Sequence, residues 1–325
     1  MKHILMLALM LQNLNIFSQS LPHDSPSEYG DTQLLTIIDT PNDQNIKFEN
    51  QESKARITQE NLSMYVYPDG ESSTDKIIAD VLLGAPISPK NLIVKVVGHQ
   101  EPNPIKSVLM EGLSKLLKQP DFKYIASIHT SNNIVLKNDD ANIIFGNLKK
   151  CQDIHKQSGI HWSSVQIDAE PVFDSSSGLN NVDFLIYLGN LINNQLRLPF
   201  TIYFSPAKFG NKQNGIYVKD NASFNRVMKF IKAFSGNQIW LPSYSYADDP
   251  VKIDDIEDSV KILKSANASY QLILDTKDPP KLKNRIQDIK TKGLNSAEGL
   301  SIFSVSKNGN ENLNQSLSYI AQIDD

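Results

Sequence analysis

Residues 163–171 read Ser163-Ser164-Val165-Gln166-Ile167-Asp168-Ala169-Glu170-Pro171. Side chains alternate across an extended strand, so Val165, Ile167 and Ala169 share one face and Gln166, Asp168 and Glu170 share the other. The first face suits packing against helices. The second is polar and carries two carboxylates, and the proline terminates the run.

Outward from this stretch the same kind of segment recurs. Apolar strand candidates fall at 62–67, 92–97, 124–129, 165–170, 200–205, 238–243, 271–274 and 300–305. Helical periodicity lies between them: Phe224, Val227, Met228 and Ile231 stand at i, i+3, i+4, i+7. Similar stripes run through Ile105, Val108, Leu109, Leu113 and Leu116, through Ile143, Ile144, Leu148 and Cys151, and through Val182, Leu185, Ile186 and Ile192. Ser73 or Thr74, Asp139, and Asp220 or Asn221 offer N-caps. Strands alternating with helices imply parallel strands and right-handed crossovers. Eight such units closing on themselves give an α/β fold of the (β/α)8 barrel type over residues 59–325. An open doubly wound sheet is the competitor, but Tyr67-Pro68-Asp69-Gly70 after the first strand lacks a phosphate-binding glycine pattern.

The amino-terminal part reads differently. Lys2 and His3, the apolar run Ile4 to Leu11 and the small residues Ser18 and Ser20 form a signal peptide over 1–20, which predicts a secreted or periplasmic protein. That run is too short to span a bilayer core of ~30 Å. Residues 21–58 are polar and turn-rich, with one strand candidate at Leu34–Ile38, and are expected to form an extension packed on the barrel. Cys151 is the single cysteine, so an exported chain must be held by its core without an internal disulfide. It reads as a small buried hydrophobe on a helix. The net charge of −4 with no basic tract argues against nucleic-acid binding. A monomer is expected.

Active sites of such barrels lie at the carboxyl ends of the strands. Two inward carboxylates there repel each other and are partly desolvated, which raises at least one pKa and suits a general acid. This is the equipment of glycoside hydrolysis. Tyr67, Tyr203 and Tyr246 end strands one, five and six and are placed to contact a sugar. His99, Glu101, His129, Asp168 and Asp275 could ligate a metal, but no metal-ligand spacing is present, and neither metal nor cofactor is expected. Ser127 and Ser205 lie at strand ends outside any nucleophile-elbow pattern. Trp162 and Trp240 are assigned to the core, and His155 and His161 to the surface or to supporting positions.

The stretch 163–170 resembles the fourth-strand motif D-G-x-D-x-D-x-E of glycoside hydrolase family 18, the chitinases and endo-β-N-acetylglucosaminidases. Asp168 and Glu170 match its last two acids; Ser163 and Gln166 stand at the earlier Asp positions and Ser164 at the Gly. Lys123–Ile128 looks like the family's third strand, with His129 and Thr130 in place of glycines. Pro242-Ser243-Tyr244-Ser245 looks like its sixth, keeping the tyrosine but not the following Asp. Gly299–Phe303 looks like its eighth, with Phe303 in place of tryptophan. Only about 60 residues separate Tyr244 from Phe303, so the family's late inserted domain is absent.

The resemblance implies retaining, substrate-assisted cleavage of N-acetylglucosamine-containing glycans. Glu170 would protonate the glycosidic oxygen, Asp168 would orient the substrate's acetamido nucleophile, and Tyr244 would hydrogen-bond its carbonyl. Gln166, Tyr203, Ser127, His129, Phe303, Tyr246 and Tyr67 would contact the sugar. The missing acids also leave open a weakly active or purely glycan-binding barrel.

Overall fold

A computed structural model describes residues 61–66, 82–85, 87–98, 119–130, 134–169, 172–174, 179–205, 221–243, 252–276, 278–294, 299–303 and 309–322. All of these fall within the unit Glu52–Asp325. The signal peptide, the 21–58 extension, the helix read over 105–116 and the cap at Ser73 or Thr74 lie outside the described residues.

Eight parallel strands close into a barrel: β1 Leu62–Val66, β2 Asn91–Gly98, β3 Lys123–His129, β4 Trp162–Asp168, β5 Phe200–Tyr203, β6 Gln238–Pro242, β7 Tyr270–Asp275 and β8 Leu300–Phe303. Each pairs with its sequence neighbours, and β1 pairs with β8 to close the ring. Six helices are described between or after them: α1 Asn138–Gln157, α2 Val182–Leu191, α3 Asn221–Ala233, α4 Ile253–Ser265, α5 Pro279–Thr291 and α6 Gly309–Ala321. A short antiparallel pair, Phe173–Asp174 with Leu179–Asn180, decorates the β4–α2 connection. Among the described residues no helix is long and apolar enough to cross a membrane.

Alternation along each strand divides the core in two. Val165 and Ile167 of β4, with Ala169 beyond it, join Ala126, Phe200, Leu241 and Leu272 in a shell that also holds the apolar faces of the helices. The inner set is smaller: Tyr65, Ile93, Ile125, Tyr203, Trp240 and Ile273. The strand faces thus divide as the alternation in 163–169 predicts.

Some expectations need correction. β4 begins three residues earlier than the apolar pattern indicates, because Trp162 is buried at its start rather than preceding it. β5 ends at Tyr203. Ile143, read as part of a buried stripe, is 61% exposed, and the buried stripe of α1 is Ile144, Leu148, Cys151 and His155. Asp139 lies inside the first turn of α1, where its charge favours the helix dipole. The capping contact comes from Asp140, whose carboxylate accepts the Lys137 N–H at 2.8 Å.

The amino end of the barrel is sealed by amides. Asn237 Oδ1 accepts the Phe200 N–H at 2.7 Å and the Asn193 side-chain N–H at 3.0 Å, and Asn237 Nδ2 donates back to Asn193 Oδ1 at 3.0 Å. Both residues are buried, so this reciprocal pair satisfies groups that water does not reach. It joins the π-helical end of α2 (Ile192–Leu196) to the starts of β5 and β6.

Candidate active site

The carboxyl ends of β3 and β4 are held in register to the last residue. Ser127 pairs with Gln166 and His129 with Asp168. Beyond the strands, the Thr130 N–H donates to the Asp168 carbonyl at 3.1 Å, and the Thr130 hydroxyl reaches the same oxygen at 3.3 Å. The backbone under Asp168 is therefore fixed, and its side chain leaves the sheet on the inner face, opposite Ile167. His129 leaves β3 on the same face. Both are partly exposed, as residues at a barrel mouth should be.

One level below them the wall is polar and closed. The Ser127 hydroxyl donates to Gln166 Oε1 at 2.5 Å, and both residues are fully buried. Expected to touch substrate, they lie beneath the mouth, and the hydroxyl is committed to the amide. Gln166 Nε2 and Thr201 Oγ1 are buried without a hydrogen-bond partner among the described residues, and the two residues are register partners on β4 and β5. Polar groups in such interiors are ordinarily met by bound water.

The inner apolar cluster forms the floor. Tyr65 and Trp240 meet edge to face, with ring centroids 5.7 Å apart and planes at 82°. Tyr203, expected to contact sugar, is part of this packing and only 7% exposed. On the opposite wall Asp275 is buried at the end of β7 and pairs in register with Phe303, which also pairs with Tyr65. The structure thus brings Asp168, His129, Gln166, Ser127 and Tyr203 to one inner wall. Glu170, Tyr244, Tyr246, Tyr67, His99 and Glu101 lie outside the described residues. Among the described residues no group of three or more His, Cys, Asp or Glu is arranged to hold a metal ion.

Lys95 was not singled out by the sequence reading, which took strand two as an apolar run and looked to the polar residues after it. It projects from β2 between the outward Val94 and the bulge at Val96, and pairs with Ser127. A single charge inside Leu92-Ile93-Val94-Lys95-Val96-Val97 is the signal that could have found it.

No protein-family model matches the chain, and no curated protein matches it in sequence. Solved structures do share its fold. They include the spore cortex-lytic enzyme SleL of Bacillus cereus, with a TM-score of 0.50 and 9% identity over 82% of this chain and 74% of that one. A ruminal GH26 endo-β-1,4-mannanase has a TM-score of 0.50 and 11% identity, covering 81% and 62%. D-allulose 3-epimerase from a Methylomonas species has a TM-score of 0.50 and 9% identity, covering 81% and 97%. Glycoside hydrolases are thus among the structures built on this barrel. At such identities the likeness is one of fold, and the same fold carries an epimerase; function has to be argued from the site.

A second cluster lies at the amino end of the barrel. The Trp162 indole N–H donates to His155 Nδ1 at 2.9 Å, and His155 Nε2 faces Cys151 Sγ at 3.8 Å. Because Nδ1 accepts, the ring proton sits on Nε2 and points at the sulfur. Tyr124 stacks on Trp162 and meets His155 edge-on. Burial lowers the His155 pKa to about 4 and raises that of the Cys151 thiol to about 12. His155, expected at the surface or in a supporting position, is a buried neutral member of the core. This end of a barrel is where residues serve stability rather than chemistry.

Proposed function

We propose that this protein is a glycoside hydrolase acting on N-acetylglucosamine-containing glycans. The carrying observation is that Asp168 leaves the inner face of β4 at the barrel mouth, with Glu170 two residues further along the chain. A closed barrel with acids at the end of its fourth strand is a setting in which sugar bonds are cleaved, and similar barrels include a mannanase. The resemblance of 163–170 to the family 18 motif supplies the finer roles. Glu170 protonates the glycosidic oxygen as the bond to the anomeric carbon breaks. The substrate's acetamido oxygen, oriented by Asp168 and Tyr244, bonds to that carbon in place of the departing oxygen. Water then opens the cyclic intermediate, and Glu170 receives its proton. The leader over 1–20 would deliver the enzyme outside the cytoplasm, where such glycans occur.

The test compares wild type with Glu170→Gln on N-acetylglucosamine oligomers, N-glycoproteins and peptidoglycan fragments, scoring released sugars and binding. Loss of at least two orders of magnitude in turnover with binding retained supports the reading, since general acid–base groups contribute ~10²–10⁴-fold. Equal turnover by both proteins ends it. Saturable binding with no release by wild type would instead identify a glycan-binding barrel. Gln166 and Ser163 favour that second reading, because neither can carry charge where the motif has acids.

A further inference from the structure

Three consecutive strands send a polar, fully buried side chain into the middle of the barrel. Gln166 Nε2 on β4, Thr201 Oγ1 on β5 and Trp240 Nε1 on β6 have no hydrogen-bond partner among the described residues, and each residue is 0% exposed. We propose that they form a binding site for one ordered water molecule. The water accepts from the Gln166 amide and the Trp240 indole and donates to the Thr201 hydroxyl oxygen.

The register brings the three together. β4, β5 and β6 are neighbours in the ring; Gln166 pairs with Thr201, and Tyr203 with Trp240. In a closed barrel of this kind a level drawn around the wall climbs by about one residue per strand relative to the register. Trp240 is therefore level with Gln166, and Thr201 stands between them one step lower. All three face inward, because Tyr203 and Trp240 belong to the inner cluster and strand faces alternate. The same climb explains a contact on the far wall. The Ser301 hydroxyl donates to Gln271 Oε1 at 2.9 Å, although the register partner of Ser301 is Ile273.

The chemistry of the surroundings selects water. Bulky branched side chains ordinarily fill these layers. Here buried Ser301 shares the level of Gln166 and Trp240, and buried Ser63 that of Thr201, so the packing is small and polar. Among the described residues no charged side chain stands on these two levels, which disfavours an ion. Tyr65, Tyr203 and Ile273 form the next level toward the mouth and separate the site from any sugar bound there. Two donors and one acceptor match a water molecule, which makes about three hydrogen bonds when buried. The bridge ties β4 to β6 beneath Asp168 and holds the Gln166 amide in the orientation that accepts from Ser127.

The chain has two tryptophans, so two indole N–H signals are expected by NMR, and Trp162→Phe identifies the one that belongs to Trp240. In wild type the Trp240 indole proton should show a nuclear Overhauser cross-peak to water with the sign of a long-lived contact. A high-resolution crystal structure should place a water oxygen within hydrogen-bond distance of all three atoms. Thr201→Val keeps the side-chain shape and removes the acceptor, so the urea midpoint should fall. In a dry site the same change would delete an unmet hydroxyl and raise it. An absent cross-peak, direct contact among the three groups in the crystal, or a midpoint unchanged or raised in Thr201→Val overturns the proposal. If Thr201→Val fails to fold, the two wild-type measurements decide. None of these readouts needs a substrate, so they stand apart from the glycosidase reading.

Discussion

Trp162, His155 and Cys151 show how much a few side chains can fix. The imidazole accepts the indole N–H and is only 4% exposed, so its neutral form belongs to the folded state. Its pKa falls from 6.5 to about 4 on folding. The unfolded chain therefore binds more protons between those values. Its contribution to stability is complete above about pH 6.5 and declines as pH falls toward 4, by roughly 3 kcal/mol. Thermal melts from pH 7.5 to 4 should show that decline, and His155→Gln should flatten it. Trp162→Phe keeps most of the packing but removes the donor; a cost of about 1–2 kcal/mol in urea unfolding is expected. Cys151 should resist alkylation by iodoacetamide in the native protein and react once unfolded, because its thiol is buried and its pKa raised to about 12.

Sequence spacing could have placed His155 in the core, since Ile144, Leu148, Cys151 and His155 continue one helical stripe. A histidine reads as polar until its partner is known, and Trp162 lies across a turn on another element. Lys95 stayed hidden for a related reason. Alternation assigns it to the inner face, but only the register of β2 against β3 sets it beside Ser127 on the polar wall. The inward face of Asp168 was legible, because a period of two runs through Val165, Gln166, Ile167 and Asp168.

At the scale of elements, close approach decides where substitutions hurt. A methyl on Gly189 of α2 would meet the Phe230 ring at 2.3 Å and Phe200 at 2.8 Å, so α2 rests directly on β5 and α3 through this glycine. Gly189→Ala should cost about 1–3 kcal/mol, the usual range for overpacking, measured by urea unfolding. Gly299 enters β8 with φ +138°, and a Cβ there would lie 2.1 Å from the Asn61 carbonyl oxygen. Backbone cannot yield as a ring can. Gly299→Ala should therefore destabilise more than Gly189→Ala and loosen the β8–β1 seam that closes the barrel, seen as faster amide exchange in Leu62–Tyr65. The strand and helix order was readable from alternating periods, whereas the ends were not. β4 gained Trp162 because an aromatic at the amino end of an apolar run can belong to strand or turn, and burial against Tyr124 settles it.

For the whole molecule, the alternation of eight strands with helices and the absence of a phosphate loop were enough to predict a closed barrel, because few architectures bury parallel strands on both faces. The chemistry of the mouth was less legible. Composition argues against nucleic-acid binding but selects no substrate, and the barrel is shared by hydrolases and an epimerase. What narrows it is the inward Asp168 with Glu170 beyond, read together with the motif's frame. The most direct test of that reading is the configuration of the freshly released sugar. Wild-type protein should be mixed with a β-linked N-acetylglucosamine oligomer that it cleaves, and the new reducing end followed by proton NMR before mutarotation. A substrate-assisted, retaining reaction gives the β-anomer first, with the α-anomer appearing only as it equilibrates; initial appearance of the α-anomer would contradict the account.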